Sequence, residues 1–448
     1  MDGTQRRRVV AGALGAALGL LAAAGLLAAR SAAVVGGAGA APPGVEATHL
    51  SPLLTAAGEA VTLRYDIYCV GPDAPTEPCD AGGVVYARAG GSEPFEALPL
   101  RVDPAAVEGR YAVRVPDALL RSGFSYYAVL RDRTTGASTT LPSGGPEALE
   151  QSAPLGPSAV VVRLGRHSFG SPRAADARVA SARWGDGPGE VGLEERGPDA
   201  TPIGASSFDV DASGRVTVLD EAHRRLLRWV PGASAPEVVP VNVRGTIGDV
   251  ATGSGGTTHV LEPAAAGSPA LVRSFAADGQ EVSAVEVGQE VDALRLDADR
   301  PVVLEAQSGR WLRPGRAAGA VGRPVGGGLR VVVYRPDPGE LRLAVVNQFG
   351  AVARAWRIES STPMAEVQLA EPFAGGLVAV VRMYEERRAE FVTLLLGPRG
   401  VTHEFSIDAP DWAETAPLGH FRLVGDSLYR LGSTAAGVFV DRYDLGVS

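Results

Sequence analysis

In the stretch FDVDASGRVTVLD (208–220), Asp209, Asp211, Ser213, Gly214 and Asp220 fall at positions 1, 3, 5, 6 and 12 of a twelve-residue window. That spacing sets oxygen ligands around calcium in an EF-hand loop. Other residues invite similar questions. The histidines His49, His167, His223, His259, His403 and His420 never form His-x-x-x-His or adjoin a cysteine, so no local zinc motif exists. Ser206 and Ser207, in GASSF, lack the second glycine of a nucleophile elbow. The glycines of WGDGPGEVG (184–192) would need a helix N-terminus behind them to cradle phosphate, and none is signalled, so they read as tight turns. Asp220, Glu262 and Glu305 each close an apolar run, where a carboxylate serves turn donors more readily than it moves protons.

The elements that must hold these residues are strands. Phe208, Val210, Val216 and Val218 alternate with polar residues across DASG, which predicts a hairpin in place of the two helices an EF-hand requires. The pattern returns as IGDVATGSGGTTHVLEP and VDALRLDADRPVVLEA, each an apolar strand, a polar turn and a second strand ending in a carboxylate. Starts near Phe208, Ile247 and Val291 give a period of about 40 residues, the size of a four-stranded propeller blade. The calcium ligands do not repeat with the hairpin, which argues for a structural turn. Residues 201–448 have room for six such units, with one strand of the closing unit expected from the segment before Thr201.

Upstream, 45–145 carries β-rich runs between turn residues. In TLRYDIY, Leu63, Tyr65 and Ile67 point one way while Thr62, Arg64 and Asp66 point the other. Such segments predict an immunoglobulin or fibronectin type III-like sandwich, without the inter-sheet disulfide or core tryptophan of antibody domains. Residues 146–158 (PEALEQSAPLGPS) read as a linker, and 159–200 as the segment that leads into and closes the 159–448 propeller. Ahead of everything, Arg6, Arg7 and Arg8 precede an apolar run from Val9 to Ala29 and a small-residue Ala38-Gly39-Ala40. Residues 1–44 thus form a signal peptide or an uncleaved anchor able to span a hydrocarbon core of about 30 Å. An extracytoplasmic chain, secreted or anchored by one N-terminal transmembrane helix, is expected. In that compartment Cys69 and Cys79, the only cysteines, are expected as a disulfide across VGPDAPTEP.

The run WGDGPGEVGL (184–193), followed by SSFDVDASGRVTVLDEAHRRLLRW, resembles the NHL-repeat type of bacterial six-bladed β-propeller, in chains of unknown function. The resemblance implies an all-β protein that recognises a protein, peptide or cell-envelope glycan through loops on one propeller face, as a non-catalytic binding protein. The alternative is a lyase or hydrolase with a metal or acidic/His site in the central channel, for which His223, His259, Asp220, Glu262 and Glu305 are the candidates. No cofactor is predicted, and calcium and zinc are left open. A net charge of −9 and the absence of a basic block beyond the N-terminus argue against nucleic acid. Membrane contact is expected only through the N-terminal segment, if uncleaved.

Overall fold

Among the described residues, alternation of apolar and polar side chains builds eight β-sheets, two in an N-terminal sandwich and six in sequence behind it. The computed structural model describes residues 44–446 apart from 71–76, 79, 92, 104–108, 196, 198–199, 244–247, 266–267, 289–290, 306–307, 317–318, 410 and 415–418. The N-terminal signal or anchor and the Cys79 half of the expected disulfide lie outside the described residues. Among the described residues no helix is long and apolar enough to cross a membrane.

In the sandwich, one sheet is centred on Thr62–Val70 and the other on Phe124–Asp132 and Ala81–Ala89. Leu63, Tyr65 and Ile67 are fully buried against Val85, Ala87, Tyr126, Ala128 and Leu130, while Arg64 faces solvent. The stretch expected as a linker corrects that boundary: Glu150–Pro154 is a strand of the second sheet, pairing with both Phe124–Asp132 and Leu54–Thr55. Its polar sequence hid this because Glu150 and Ser152 are buried polar side chains.

The six later sheets begin with first strands Ser207–Val210, Asp249–Thr252, Val291–Asp297, Arg323–Pro324, Met364–Phe373 and Phe421–Val424, and each continues outward antiparallel. We number them sheets 1 to 6. The outer strand of sheet 6 is Ala177–Arg183, paired with Gly437–Asp444, so a segment from before sheet 1 completes the last sheet. Val160–Gly165 adds a parallel strand outside Val352–Ser360 of sheet 4. First strands of sheets 1 and 2, 2 and 3, 5 and 6, and 6 and 1 touch, and sheets 3, 4 and 5 meet through neighbouring strands. The array therefore closes on itself, which defines a β-propeller.

Apolar side chains fill the gaps between sheets, as in Leu219, Leu226, Val250, Val260 and Phe275 between sheets 1 and 2. Between sheets 3 and 4 the filling differs. Val321, Val332, Ala344 and Val346 are joined there by Leu54 and Leu155 of the sandwich. Burying each leucine stabilises the docked arrangement by roughly 1.5–3 kcal/mol. Polar ties reinforce it: Arg342 donates to both oxygens of Glu59 (2.6 and 3.0 Å) and to the Leu54 carbonyl (2.8 Å), and Arg310 donates to the Ala148 carbonyl (3.1 Å).

Candidate functional site

First strands of a closed ring have no further strand on their inner side, so side chains must satisfy part of that edge. Carboxylates from one sheet accept from the backbone of the next. Asp209 accepts the Thr252 N–H at 2.6 Å, and Asp249 accepts the Leu294 N–H at 2.8 Å. Asp249, wholly buried, also accepts from Ser207 (2.5 Å), its neighbour's Val250 N–H (3.0 Å), Arg422 (3.2 Å) and Arg295 (2.8 Å). Gly419 makes room for these cations: it sits at φ +141°, and a Cβ there would stand 2.8 Å from Arg295 and 3.2 Å from Arg422.

Where the first strands end, this network opens into an axial cavity of about 300 Å³ to which all six sheets contribute. Sheets 1 to 6 supply, in order, Asp209, Thr252, Arg295, Arg323, Glu371 and Arg422. Arg323 is ion-paired with Glu371, and Arg422 Nε lies 3.4 Å from Asp209 Oδ1. The buried Arg422 Nε makes no hydrogen bond among the described residues. Burial dominates the electrostatics, pushing the Asp209 carboxyl up against the pull of Arg422 and the Thr252 N–H. It likewise holds Arg422 down to about 10, with Arg295 adding repulsion. Arg323 is lowered in the same way. Both members of the Arg422–Asp209 pair shift toward neutrality, so desolvation exceeds their attraction.

The residues expected at the channel lie elsewhere. Second strands run antiparallel to first strands, so Asp220, Glu262 and Glu305 come to the opposite end of the ring, and none of them lines the cavity. Each meets an arginine of its third strand: Asp220 with Arg225 (2.9 Å), Glu262 with Arg273 (2.9 Å) and Glu305 with Arg310 (2.5 Å). The first of these pairs fastens the closing segment, because Arg225 donates to the Gly187 and Glu190 carbonyls and Asp220 accepts the Gly192 N–H. His223 joins it, bonded to Asp220 (2.8 Å) and Asp186 (3.0 Å), and these carboxylates outweigh burial and raise its pKa. His259 is one strand away from the axis, bonded to Ser274 at 2.8 Å, with its pKa lowered by burial. Thus Asp220 and His223 meet, while His259, Glu262 and Glu305 do not join them.

The stretch that raised the calcium question is a hairpin. Asp211 accepts from Ser213 N (2.8 Å), Ser213 Oγ (2.5 Å) and Arg215 N (3.1 Å), and closes the turn itself. Asp209 faces the axis and Asp220 the far end of the ring, so the window never converges. Among the described residues no group of three or more His, Cys, Asp or Glu side chains is placed to hold a metal. The signal missed in the sequence is a charge between apolar neighbours in a first strand: FDV at 209, LRL at 295 and FRL at 422.

A second cleft of about 360 Å³, lined by Arg166, His167, Ser168, Phe169, Glu385 and Arg388, lies away from this network. Its arginines are largely exposed and both pair with Glu385, which leaves the smaller, axial cavity as the better-built site.

No known protein family matches the chain, and no curated protein matches it. Solved structures that resemble it include virginiamycin B lyase from Staphylococcus aureus, at 10% identity over 54% of this chain and 94% of that one, with a TM-score of 0.33. YCF48 bound to D1 peptide aligns at 10% identity over 64% of this chain and 98% of that one, with a TM-score of 0.32. BamB from Moraxella catarrhalis aligns at 12% identity over 59% and 97%, with a TM-score of 0.28. These are β-propeller proteins, the fold class that the ring of sheets itself defines. At such scores the likeness carries nothing about activity or ligand.

Proposed function

We propose that this chain is an extracytoplasmic, non-catalytic binding protein. In this reading it is a six-bladed propeller of the NHL type, oriented by an immunoglobulin- or fibronectin-like sandwich and exported by its N-terminal segment. Six sheets in a ring support the blade count, and the Arg6–Arg8 and Val9–Ala29 pattern supports export. Its ligand is a protein, peptide or envelope glycan that presents a polar group to the axial cavity. One observation carries the reading: all six first strands converge on a single solvent-open cavity whose buried charges are incompletely compensated. A ligand completes such a site without any proton having to move.

The test is equilibrium dialysis of the purified full chain against envelope-derived peptides and saccharides, with recovered ligand checked by mass spectrometry. Saturable binding that Arg323→Gln weakens, with ligand recovered intact, is expected. Chemically altered ligand, or binding indifferent to Arg323→Gln, would overturn the proposal.

A further inference from the structure

The cavity wall carries three guanidinium groups, Arg295, Arg323 and Arg422, and four carboxylates, Asp209, Asp211, Asp299 and Glu371. A ligand of single charge therefore meets repulsion whichever sign it bears. An anion that approaches Arg422 also approaches Asp209, and a cation that approaches Glu371 also approaches Arg323. The pairing is nevertheless uneven: Arg323 is closely paired with Glu371, whereas Arg422 and Asp209 are loosely joined. The Arg422 Nε is buried without a hydrogen bond, and its 3.4 Å separation from Asp209 exceeds the roughly 2.7–2.9 Å of a charge-assisted bond. On the cationic side, Arg295 repels both Arg323 and Arg422 across the cavity. At about 300 Å³ the space is at the small end of the roughly 300–1,000 Å³ typical of ligand pockets, so it suits a molecule the size of an amino acid or dipeptide.

Resting on the binding function above, we propose that the axial cavity takes a zwitterionic group, the carboxylate and ammonium of a free amino acid or short peptide. The carboxylate lies toward Arg323 and Arg422, and the ammonium toward Asp209 and Glu371. The ligand carboxylate offsets the repulsion among the arginines and the ammonium gives the loosely joined Asp209 a partner, while each ligand charge is balanced by its neighbour of opposite sign.

The experiment is calorimetric titration of the full chain with four probes: Ala-Ala, N-acetyl-Ala-Ala, Ala-Ala amide and N-acetyl-Ala-Ala amide. Ala-Ala is expected to bind at least about tenfold more tightly than either singly charged probe, since a site built for a polar group rejects analogues that lack it. Arg323→Gln should erase the preference for a free carboxylate, and Asp209→Asn the preference for a free ammonium. Equal affinity for the four probes, tighter binding of a singly charged one, or no binding of Ala-Ala at millimolar concentration would overturn the inference. The four probes discriminate on the wild-type chain alone, so the test holds even where a variant fails to fold. Saturable binding of a saccharide with no response to Ala-Ala would remove this inference while leaving the binding function standing.

Discussion

Glu150 is a buried carboxyl whose charge the fold tolerates poorly, and Glu150→Gln exposes how much. Its carboxyl is buried between the sandwich sheets and the ring, accepts the Ser51 hydroxyl at 2.5 Å, and is pushed by burial from 4.5 up to about 7. Ser51 and Arg310 pull it down and Glu305 pushes it further up. Between those two values the folded chain keeps a proton that the unfolded chain has released. The associated stability is therefore fully present below pH 4.5 and is lost as pH rises through about 7. At 1.36 kcal/mol per unit this amounts to about 3 kcal/mol by pH 8. Glutamine keeps the shape and an acceptor for Ser51 but cannot ionise, so Glu150→Gln should stabilise the protein by about 3 kcal/mol at pH 8 and by almost nothing at pH 4. His49 faces the same core. Its Nδ1–H donates to the Arg64 carbonyl at 2.7 Å, its Nε2 accepts the Tyr126 hydroxyl at 2.7 Å, and burial lowers it to about 4. That depressed base contributes the opposite slope, stability gained as pH rises from about 4 to 6.5, so the two groups oppose each other in the wild type and the difference between proteins isolates Glu150. Urea denaturation at several pH values, followed by hydrogen exchange of the buried amides within residues 44–155, reads the sandwich directly. A difference that does not change between pH 4 and pH 8 would refute the reasoning.

Gly309 lies at φ +64°, and a Cβ there would come within 2.5 Å of Leu53 at the seat of the sandwich on the ring. Gly309→Ala should therefore cost about 1–3 kcal/mol and separate the melting of the two parts by calorimetry; a single, unshifted transition would count against a docked sandwich. His223, raised above its ordinary value by Asp220 and Asp186, should hold the 184–192 segment most firmly below pH 6.5 and release it as pH rises through its elevated folded pKa. Hydrogen exchange at 184–192, corrected for intrinsic rates, should accelerate on that rise in the wild type and stay level in His223→Gln; the same profile in both proteins would remove the latch.

How much of the fold was legible depended on whether a residue's neighbours in sequence were also its neighbours in space. Leu63, Tyr65 and Ile67 announced a half-buried strand because a strand's two faces alternate within a few residues. The hairpin at 211–215 was equally local, set by one aspartate and one glycine. Glu150–Pro154 was not, since its strand pairs with distant Phe124–Asp132 and its Glu150 carboxyl is buried where distant Ser51 donates to it. The recurring carboxylates at 220, 262 and 305 marked the repeating hairpins, and they lie at the end of the ring away from the cavity, each beside an arginine of its own sheet.

The axial residues differ from sheet to sheet, and the free inner edge of the ring explains why. Each first strand must satisfy its exposed backbone groups with whatever its neighbour presents. Asp249 does this completely, accepting from two backbone N–H groups, a serine and two arginines, so its charge is committed to the ring. Asp209 does it less fully: it accepts the Thr252 N–H and is drawn to the Val210 N–H, while its Oδ1 stands 3.4 Å from Arg422 Nε. An ion pair that contributed only stability would be expected to close to hydrogen-bond distance, since a buried, poorly joined pair is weak or unfavourable. The separation between Arg422 and Asp209 is therefore the place where the ring's own requirements end and a ligand's would begin.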